Sequence, residues 1–112
     1  MSGFLYLASP YSHPDPEVRH ERFLGACRAA AHLMDCGHVV FSPIAHSHTI
    51  ETEGLKEVRN GDFWKGQDVP ILRHAARLVV LMLPGWRESR GIAWEIELAH
   101  TNHLHVEYME PV

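Results

Sequence analysis

The sequence predicts an α/β fold: a three-layer α/β/α sandwich of the flavodoxin-like or Rossmann-like kind, built around a parallel sheet of four or five strands. Short apolar runs alternate along the chain with segments that have helical periodicity. The strongest run, residues 77–83 (RLVVLML), is continuously apolar, as is typical of a central strand buried on both faces. With 112 residues, of which 46% are hydrophobic, the chain fits a single domain over residues 1–112.

The first third of the chain predicts a strand–helix–strand unit. Residues 4–8 form a short apolar run that a Ser-Pro pair ends. An Asp-Pro pair at residues 15–16 is typical of a helix start, and apolar residues recur at intervals of three and four up to about residue 36. Residues 38–41 predict the second strand. Because a helix connects the two strands, we expect them to pair in parallel.

The remaining two thirds predict two more helices and two more strands. Residues 44–60 are polar and have no clear period, which indicates a long loop with room for a short helix. The later elements that the pattern predicts are, in order, a helix in the second half of residues 62–74, a strand at 77–83, a turn at 84–88, a helix from a Ser89 cap to about His100, and a strand at 105–108.

Charge and hydropathy exclude several classes of protein. The net charge is −4, with 10 Lys and Arg against 14 Asp and Glu, and no basic stripe is present, so we expect no nucleic-acid polymer as partner. No apolar run reaches the roughly 18 residues that a membrane span needs. The amino terminus lacks the basic region and apolar stretch of a signal peptide. We therefore expect a cytoplasmic protein that does not bind a membrane.

The loops that leave the predicted strands hold the candidate binding residues. In a parallel sheet, ligands bind beyond the carboxyl ends of the strands. Here those ends lead into Ser9 and into residues 84–91. Ser89 and Gly91 offer a hydroxyl and free backbone N–H groups at a helix start, a pattern that suits a phosphate. The competing interpretation is an ordinary serine N-cap followed by a small residue in the first turn.

Two carboxylates could converge at the same edge of the sheet. Glu95 is one turn into the last helix, and Asp68 lies in the segment before the long strand. Two carboxylates in one cleft suit glycosidic bond cleavage, with one as nucleophile and one handling the proton of the leaving group. For this chemistry Glu95 must be ionised and Asp68 protonated for part of the time. The alternative for Glu95 is a surface position near the helix start. The alternative for Asp68 is a solvated position in a helix that Asp62 caps.

Together these motifs resemble the nucleoside 2-deoxyribosyltransferase and nucleotide N-glycosidase superfamily, and especially its branch of short bacterial and phage chains. The resemblance extends over nearly the whole chain. It rests on the opening segment YLASPYS, the strand end FSPI, the aspartate before the long strand, and the turn PGW that leads to S-x-G-x-x-x-E-x-x-x-A at residues 89–99.

The resemblance implies roles for single residues. Glu95 matches the family's nucleophile, which attacks the anomeric carbon of the sugar, and Asp68 matches the carboxylate that works with it. Ser9, Ser89 and Gly91 match residues that hold the 5′-phosphate in the monophosphate hydrolases. One departure is that Ala8 precedes Ser9 and Pro10-Tyr11 follow it, where those hydrolases often have glycine before the serine and arginine after it.

Aromatic and histidine side chains complete the list of candidates. We expect Tyr11 to line the pocket and Trp64 to contact the base, since Trp64 lies close to Asp68 in the sequence. His46 and His48 lie two residues apart, and on an extended segment they would point to the same side. That arrangement is compatible with a metal site, but pocket-lining roles are favoured, and we expect neither a metal nor a cofactor.

The sequence therefore predicts an N-glycosidase that cleaves the base–sugar bond of a nucleoside 5′-monophosphate or nucleoside through a glutamate nucleophile and a glycosyl-enzyme intermediate. The alternatives are a nucleoside deoxyribosyltransferase and a nucleotide-binding module without turnover. A metal-dependent phosphohydrolase that uses His46, His48 and Asp62 is a weaker third. Because a chain of this length buries only a thin core, we expect a cleft that is shallow or completed by another subunit. The resemblance implies a dimer or higher oligomer whose sites use residues of a neighbour, and we expect a homodimer or homotetramer.

Overall fold

The computed structural model describes residues 3–112, which form a four-stranded parallel sheet with helices on both faces. The strands are β1 (Leu5–Ala8), β2 (Val40–Phe41), β3 (Arg77–Leu81) and β4 (His105–Met109), in the order β2-β1-β3-β4. The helices are α1 (Pro16–Asp35), α2 (Pro43–Thr49), α3 (Gly61–His74) and α4 (Arg90–Thr101). This architecture confirms the predicted α/β class and the parallel pairing of β1 with β2.

Alternation along the strands divides the core between the two faces of the sheet. Leu5 and Leu7 of β1 pack with Val79 and Leu81 of β3 on the face that α1 covers. Tyr6 and its neighbours on β1 and β3 point to the opposite face, where α3 and α4 cover them. The residues buried on that second face are Tyr6, Ala8, Leu72, Ala75, Leu78, Val80, Ile92 and Ala99.

Local signals fix the start of α1 and α4 where the sequence predicts them. The Asp15 side chain accepts a hydrogen bond from the backbone N–H of Glu17, and Pro16 occupies the first turn of α1. The Ser89 hydroxyl caps α4 by accepting from the backbone N–H of Ile92 at 3.2 Å. Both caps satisfy N–H groups that have no partner inside the helix.

Three predicted boundaries are wrong. The segment 44–60 is largely helical: Ser42 caps α2, and a π-helical turn at Ile50–Leu55 continues from it. Helix α3 begins at Gly61 rather than midway through residues 62–74, because Asn60, and not Asp62, provides its cap. Strand β2 pairs only over Val40–Phe41, since a strand at the sheet edge has one neighbour to define its length.

No helix in residues 3–112 combines the length and the apolar character that crossing a membrane requires.

Candidate active site

Glu95 is buried on the face of α4 that packs against the sheet. This face also carries Ile92 and Ala99, three residues before and four residues after Glu95, so helical spacing turns the carboxyl group toward the sheet. The Glu95 side chain is 7% exposed. Its Oε2 accepts a hydrogen bond of 2.6 Å from the hydroxyl of Tyr6, a residue of β1. A surface position for Glu95 is therefore excluded.

Asp68 is the second buried carboxyl group on this side of the sheet. It lies inside α3, one turn before the buried Leu72. Burial raises the pKa of Asp68 to about 6. The interpretation of Asp68 as a solvated helical residue is wrong, because the side chain is 9% exposed.

The three groups Tyr6, Asp68 and Glu95 influence one another's ionisation. Burial raises the pKa of Glu95 to about 8, the hydrogen bond from Tyr6 opposes that rise, and the Asp68 charge adds to it. Burial also raises the pKa of Tyr6, and the charges of Glu95 and Asp68 raise it further. Tyr6 is therefore a neutral donor at physiological pH. The structure thus brings together the two carboxylates that the sequence predicts, and adds a tyrosine.

Burial raises the pKa of both carboxyl groups, so protons stay on this pair to a higher pH than on free carboxylates. The Asp68 charge also raises the pKa of Glu95, so the two groups titrate as a coupled pair. A nucleophilic Glu95 needs the state of the pair in which the proton lies on Asp68.

The candidate phosphate-binding residues lie at two positions. Ser9 follows β1 directly and is 5% exposed, and its Oγ has no hydrogen-bond partner within residues 3–112. A buried hydroxyl without a partner is uncommon and suits a group that meets a ligand. Ser89 is half-buried and serves as the α4 cap. Gly91 is exposed in the first turn of α4, and a Cβ there would approach only the Ser89 Oγ, at 3.8 Å.

The aromatic candidates contact residues of the π-helical turn and of α2. Trp64 lies on α3 and donates from Nε1 to Oε2 of Glu51 at 3.0 Å. Tyr11 is half-buried, and its hydroxyl lies 2.7 Å from Nδ1 of His48. The His48 ring in turn stacks on Phe23, with the ring centroids 4.2 Å apart.

His46 and His48 do not form the extended pair that the sequence interpretation describes. Both lie on α2, where residues two apart point to different sides of a helix. His46 is exposed beside the Phe41 ring, whereas His48 is half-buried between α1 and Tyr11. Within residues 3–112, no three His, Cys, Asp or Glu side chains lie close enough together to hold a metal ion.

Sequence reasoning missed two residues of this region. The sequence signal for Tyr6 is that a tyrosine in an otherwise aliphatic buried strand needs a partner for its hydroxyl. Glu51 is the second residue. It is 6% exposed and accepts hydrogen bonds from Trp64 and from the backbone N–H of Arg59. No sequence signal could have found it, since the segment around it has no period.

Comparison with known proteins gives a family and a fold. The model of a family described as "Domain of unknown function (DUF1937)" matches residues 3–111. A solved structure of a 2-deoxyribosyltransferase from the psychrotolerant bacterium Bacillus psychrosaccharolyticus superposes with a TM-score of 0.63 and 24% sequence identity. The superposition covers 95% of this chain and 71% of that enzyme. No curated protein sequence matches the chain significantly. The resemblance to the 2-deoxyribosyltransferase superfamily is confirmed at the level of the fold.

Proposed function

The chain belongs to the DUF1937 family, and we propose that it is an N-glycosidase that cleaves the base–sugar bond of a nucleoside 5′-monophosphate or nucleoside. One observation carries the proposal: the buried Glu95 carboxyl group accepts a 2.6 Å hydrogen bond from Tyr6 and shares its surroundings with the buried Asp68. The fold similarity to a 2-deoxyribosyltransferase supports nucleosides as the substrate class.

In the first step, the ionised Glu95 attacks the anomeric carbon of the sugar. The bond from that carbon to the base nitrogen breaks, its electron pair stays with the base, and Asp68 delivers a proton to the base. The reaction develops positive charge on the sugar ring, which the buried carboxylate stabilises. In the second step, Asp68 takes a proton from a water molecule as that water attacks the same carbon, and the bond to Glu95 breaks with its electron pair returning to the carboxylate. Two displacements at one carbon retain the anomeric configuration.

The hydrogen bond from Tyr6 prepares Glu95 for this role. The reactive form has Glu95 ionised and Asp68 protonated, whereas burial favours the protonated form of both groups. A hydroxyl that donates to Oε2 stabilises the carboxylate over the acid, so it lowers the free energy of moving the proton to Asp68. Tyr6 is thus a positioning residue in this proposal, and the two carboxylates are the catalytic residues.

Recognition of the substrate uses the loops that follow β1 and β3. The unpaired hydroxyl of Ser9 and the amino-terminal turn of α4, with Ser89 and Gly91, bind the 5′-phosphate. Tyr11, Trp64 and His46 line the pocket for the base. No cofactor takes part. The protein acts in the cytoplasm on small molecules.

A transferase is the second candidate, and the fold similarity to a 2-deoxyribosyltransferase favours it. The first step is the same in both. The difference is whether water or a second base attacks the glycosylated Glu95. An assay with and without an added free base separates the two, because only a transferase yields the nucleoside of that second base.

The first test measures free base released from ribo- and deoxyribonucleosides and their 5′-monophosphates, by chromatography. Replacing Glu95 with Gln keeps the size of the side chain and its bond from Tyr6 but removes the nucleophile, so we expect base release to fall at least ~10³-fold. Glu97→Gln is the matched control, because Glu97 is exposed on the same helix. It should retain full activity.

Two outcomes would count against the enzyme. If the wild type binds nucleotides but releases base from none of them, the chain is a nucleotide-binding module. If Glu95→Gln releases base as fast as the wild type, then Glu95 is not the nucleophile.

A further inference from the structure

Glu51 is a buried carboxylate that the proposed reaction leaves without a role. It lies in the π-helical turn Ile50–Leu55, and its side chain is 6% exposed. Turns of this kind are rare and are frequently found at functional sites. Neither of the ion pairs found within residues 3–112 includes Glu51. A buried carboxylate without a cation depends on hydrogen-bond donors, so the distribution of its hydrogen bonds is informative.

The two oxygens of Glu51 are used unequally. Oε2 accepts two hydrogen bonds of 3.0 Å, one from the backbone N–H of Arg59 and one from Nε1 of Trp64. Oε1 has no hydrogen-bond partner within residues 3–112. It also keeps some contact with solvent, because it is not one of the fully buried polar atoms that lack a partner. A carboxylate oxygen accepts about two hydrogen bonds. Oε2 is therefore satisfied, and Oε1 is open to a donor from a ligand.

The position of Glu51 places this open oxygen beside the candidate active site. Trp64, which Glu51 binds, lies one helical turn before Asp68, on the same face of α3 and about 6 Å away along the axis. Tyr11 is another neighbour: burial raises the pKa of Tyr11, and the Glu51 charge raises it further. Glu51 is thus linked through Trp64 to the face of α3 that carries Asp68.

We propose that Glu51 selects the base by accepting hydrogen bonds from an edge that carries an amino group next to a protonated ring nitrogen, as guanine does. The inference rests on the proposed function, because it takes the base to lie between Asp68 and Trp64. The substrate class is then a guanine nucleoside or its 5′-monophosphate. The role of Glu51 is to determine specificity, and it takes no part in bond cleavage.

The chemistry of the other base edges supports this choice. Adenine and cytosine carry an amino group next to an unprotonated ring nitrogen, whose lone pair would face the carboxylate. Uracil and thymine carry their ring N–H between two carbonyl oxygens, which the carboxylate also repels. Only the guanine edge presents two adjacent donors to Oε1, and buried polar groups discriminate strongly against partners that leave them unpaired.

The test compares kcat/KM for guanine, hypoxanthine, adenine and cytosine nucleoside monophosphates in the wild type and in Glu51→Gln. In the variant, the amide oxygen can keep the bonds from Arg59 and Trp64, so the amide NH2 faces the base in place of Oε1. An NH2 opposite two donors repels guanine and suits the adenine edge. We expect kcat/KM for guanine to fall about 10- to 100-fold, and that for adenine to stay the same or rise.

Glu53→Gln is the control variant, because Glu53 is exposed on the same turn and should leave the base preference unchanged. Hypoxanthine lacks only the amino group, so in the wild type it should be a poorer substrate than guanine. A wild type without a guanine preference, or a Glu51→Gln variant that keeps one, would overturn the inference while leaving the N-glycosidase proposal intact. Should the variant not fold, the wild-type comparison of the four bases decides.

If no base is released at all, the N-glycosidase proposal fails and the role of Glu51 is judged from binding. Equilibrium binding of guanine and adenine nucleoside monophosphates to the wild type and to Glu51→Gln is then measured. A selective loss of guanine binding in the variant supports the role of Glu51, and equal binding in both proteins refutes it.

Discussion

At the scale of single residues, the burial of Glu95 makes the stability of the protein depend on pH. The pKa of Glu95 is about 8 in the folded chain, against 4.5 for an unperturbed glutamate. Below pH 4.5 the group is protonated in both states and burial carries no charge penalty. As the pH rises toward 8, the unfolded chain ionises while the folded chain keeps the proton, so the free energy of unfolding falls.

Glu95→Gln removes this titration, and we expect its stability advantage over the wild type to grow between pH 5 and pH 8. The shift corresponds to at most about 5 kcal/mol. Thermal unfolding of both proteins across this range measures the effect, with Glu97→Gln as the exposed control. A difference in Tm that stays constant with pH would show that Glu95 titrates normally.

At the scale of single elements, the amino-terminal turn of α4 holds a residue with two roles. Ser89 caps this helix, and the proposed function also assigns it to the 5′-phosphate. The two roles are compatible, because the hydroxyl oxygen accepts from the backbone N–H of Ile92 while its proton remains available to a phosphate oxygen. They can be separated by a pair of substitutions.

Ser89→Ala loses the cap, so we expect about 1 kcal/mol lower stability and a Tm lower by about 3 to 6 °C. Ser89→Asp keeps a capping oxygen and should retain the wild-type Tm. Its negative charge opposes a bound phosphate, and KM should rise for a monophosphate but not for the nucleoside. Equal losses of Tm in the two variants would exclude the capping role, and equal rises of KM for both substrates would exclude a phosphate contact.

Helix α3 shows how one element brings two functions to the same face. Trp64 and Asp68 lie four residues apart, so both side chains point to the side of the helix that borders the site. Trp64 anchors the π-helical turn through Glu51, and Asp68 lies with Tyr6 and Glu95. The helix thereby joins the region proposed for the base to the region proposed for bond cleavage.

On the scale of the whole molecule, an open apolar groove of about 490 Å³ lies beside β2. It is lined by Phe4, Val39, Val40, Phe41, Pro70, Ile71 and His74. Phe4 precedes β1 and Val39 precedes β2, so the groove reaches the opposite end of the strands from Ser9. The candidate site is therefore defined by its buried polar groups and not by this groove.

The predicted assembly is a homodimer or homotetramer, in which a second copy completes the shallow cleft. Since the chain has a mass of 12.7 kDa, sedimentation equilibrium should give two or four times that value. Dilution should lower the mass and the rate of base release together if the neighbouring copy contributes to the site. A mass of one chain at every concentration, with full activity, would refute the prediction.

The sequence could predict the fold class because it depends on local patterns. Continuous apolar runs mark the strands, the Asp15 and Ser89 caps mark the helix starts, and helical spacing places Glu95 on the buried face of α4. Local patterns left a surface position open for both Glu95 and Asp68, and only the family resemblance paired them. The sequence left room for a short helix in residues 44–60 but could not place α2, because a polar segment without a period takes its helical form from contacts with α1 and the sheet.

The sequence by itself therefore determined an α/β fold with a parallel sheet, and the residue types at its carboxyl edge. Only the tertiary structure decided that Tyr6 donates to Glu95, 89 positions away in the chain, and that Glu51 meets Trp64. It also decided that burial raises the pKa of both Glu95 and Asp68. The physical reason is that hydrogen bonds and desolvation depend on which distant residues share a buried volume, and no local pattern records that information.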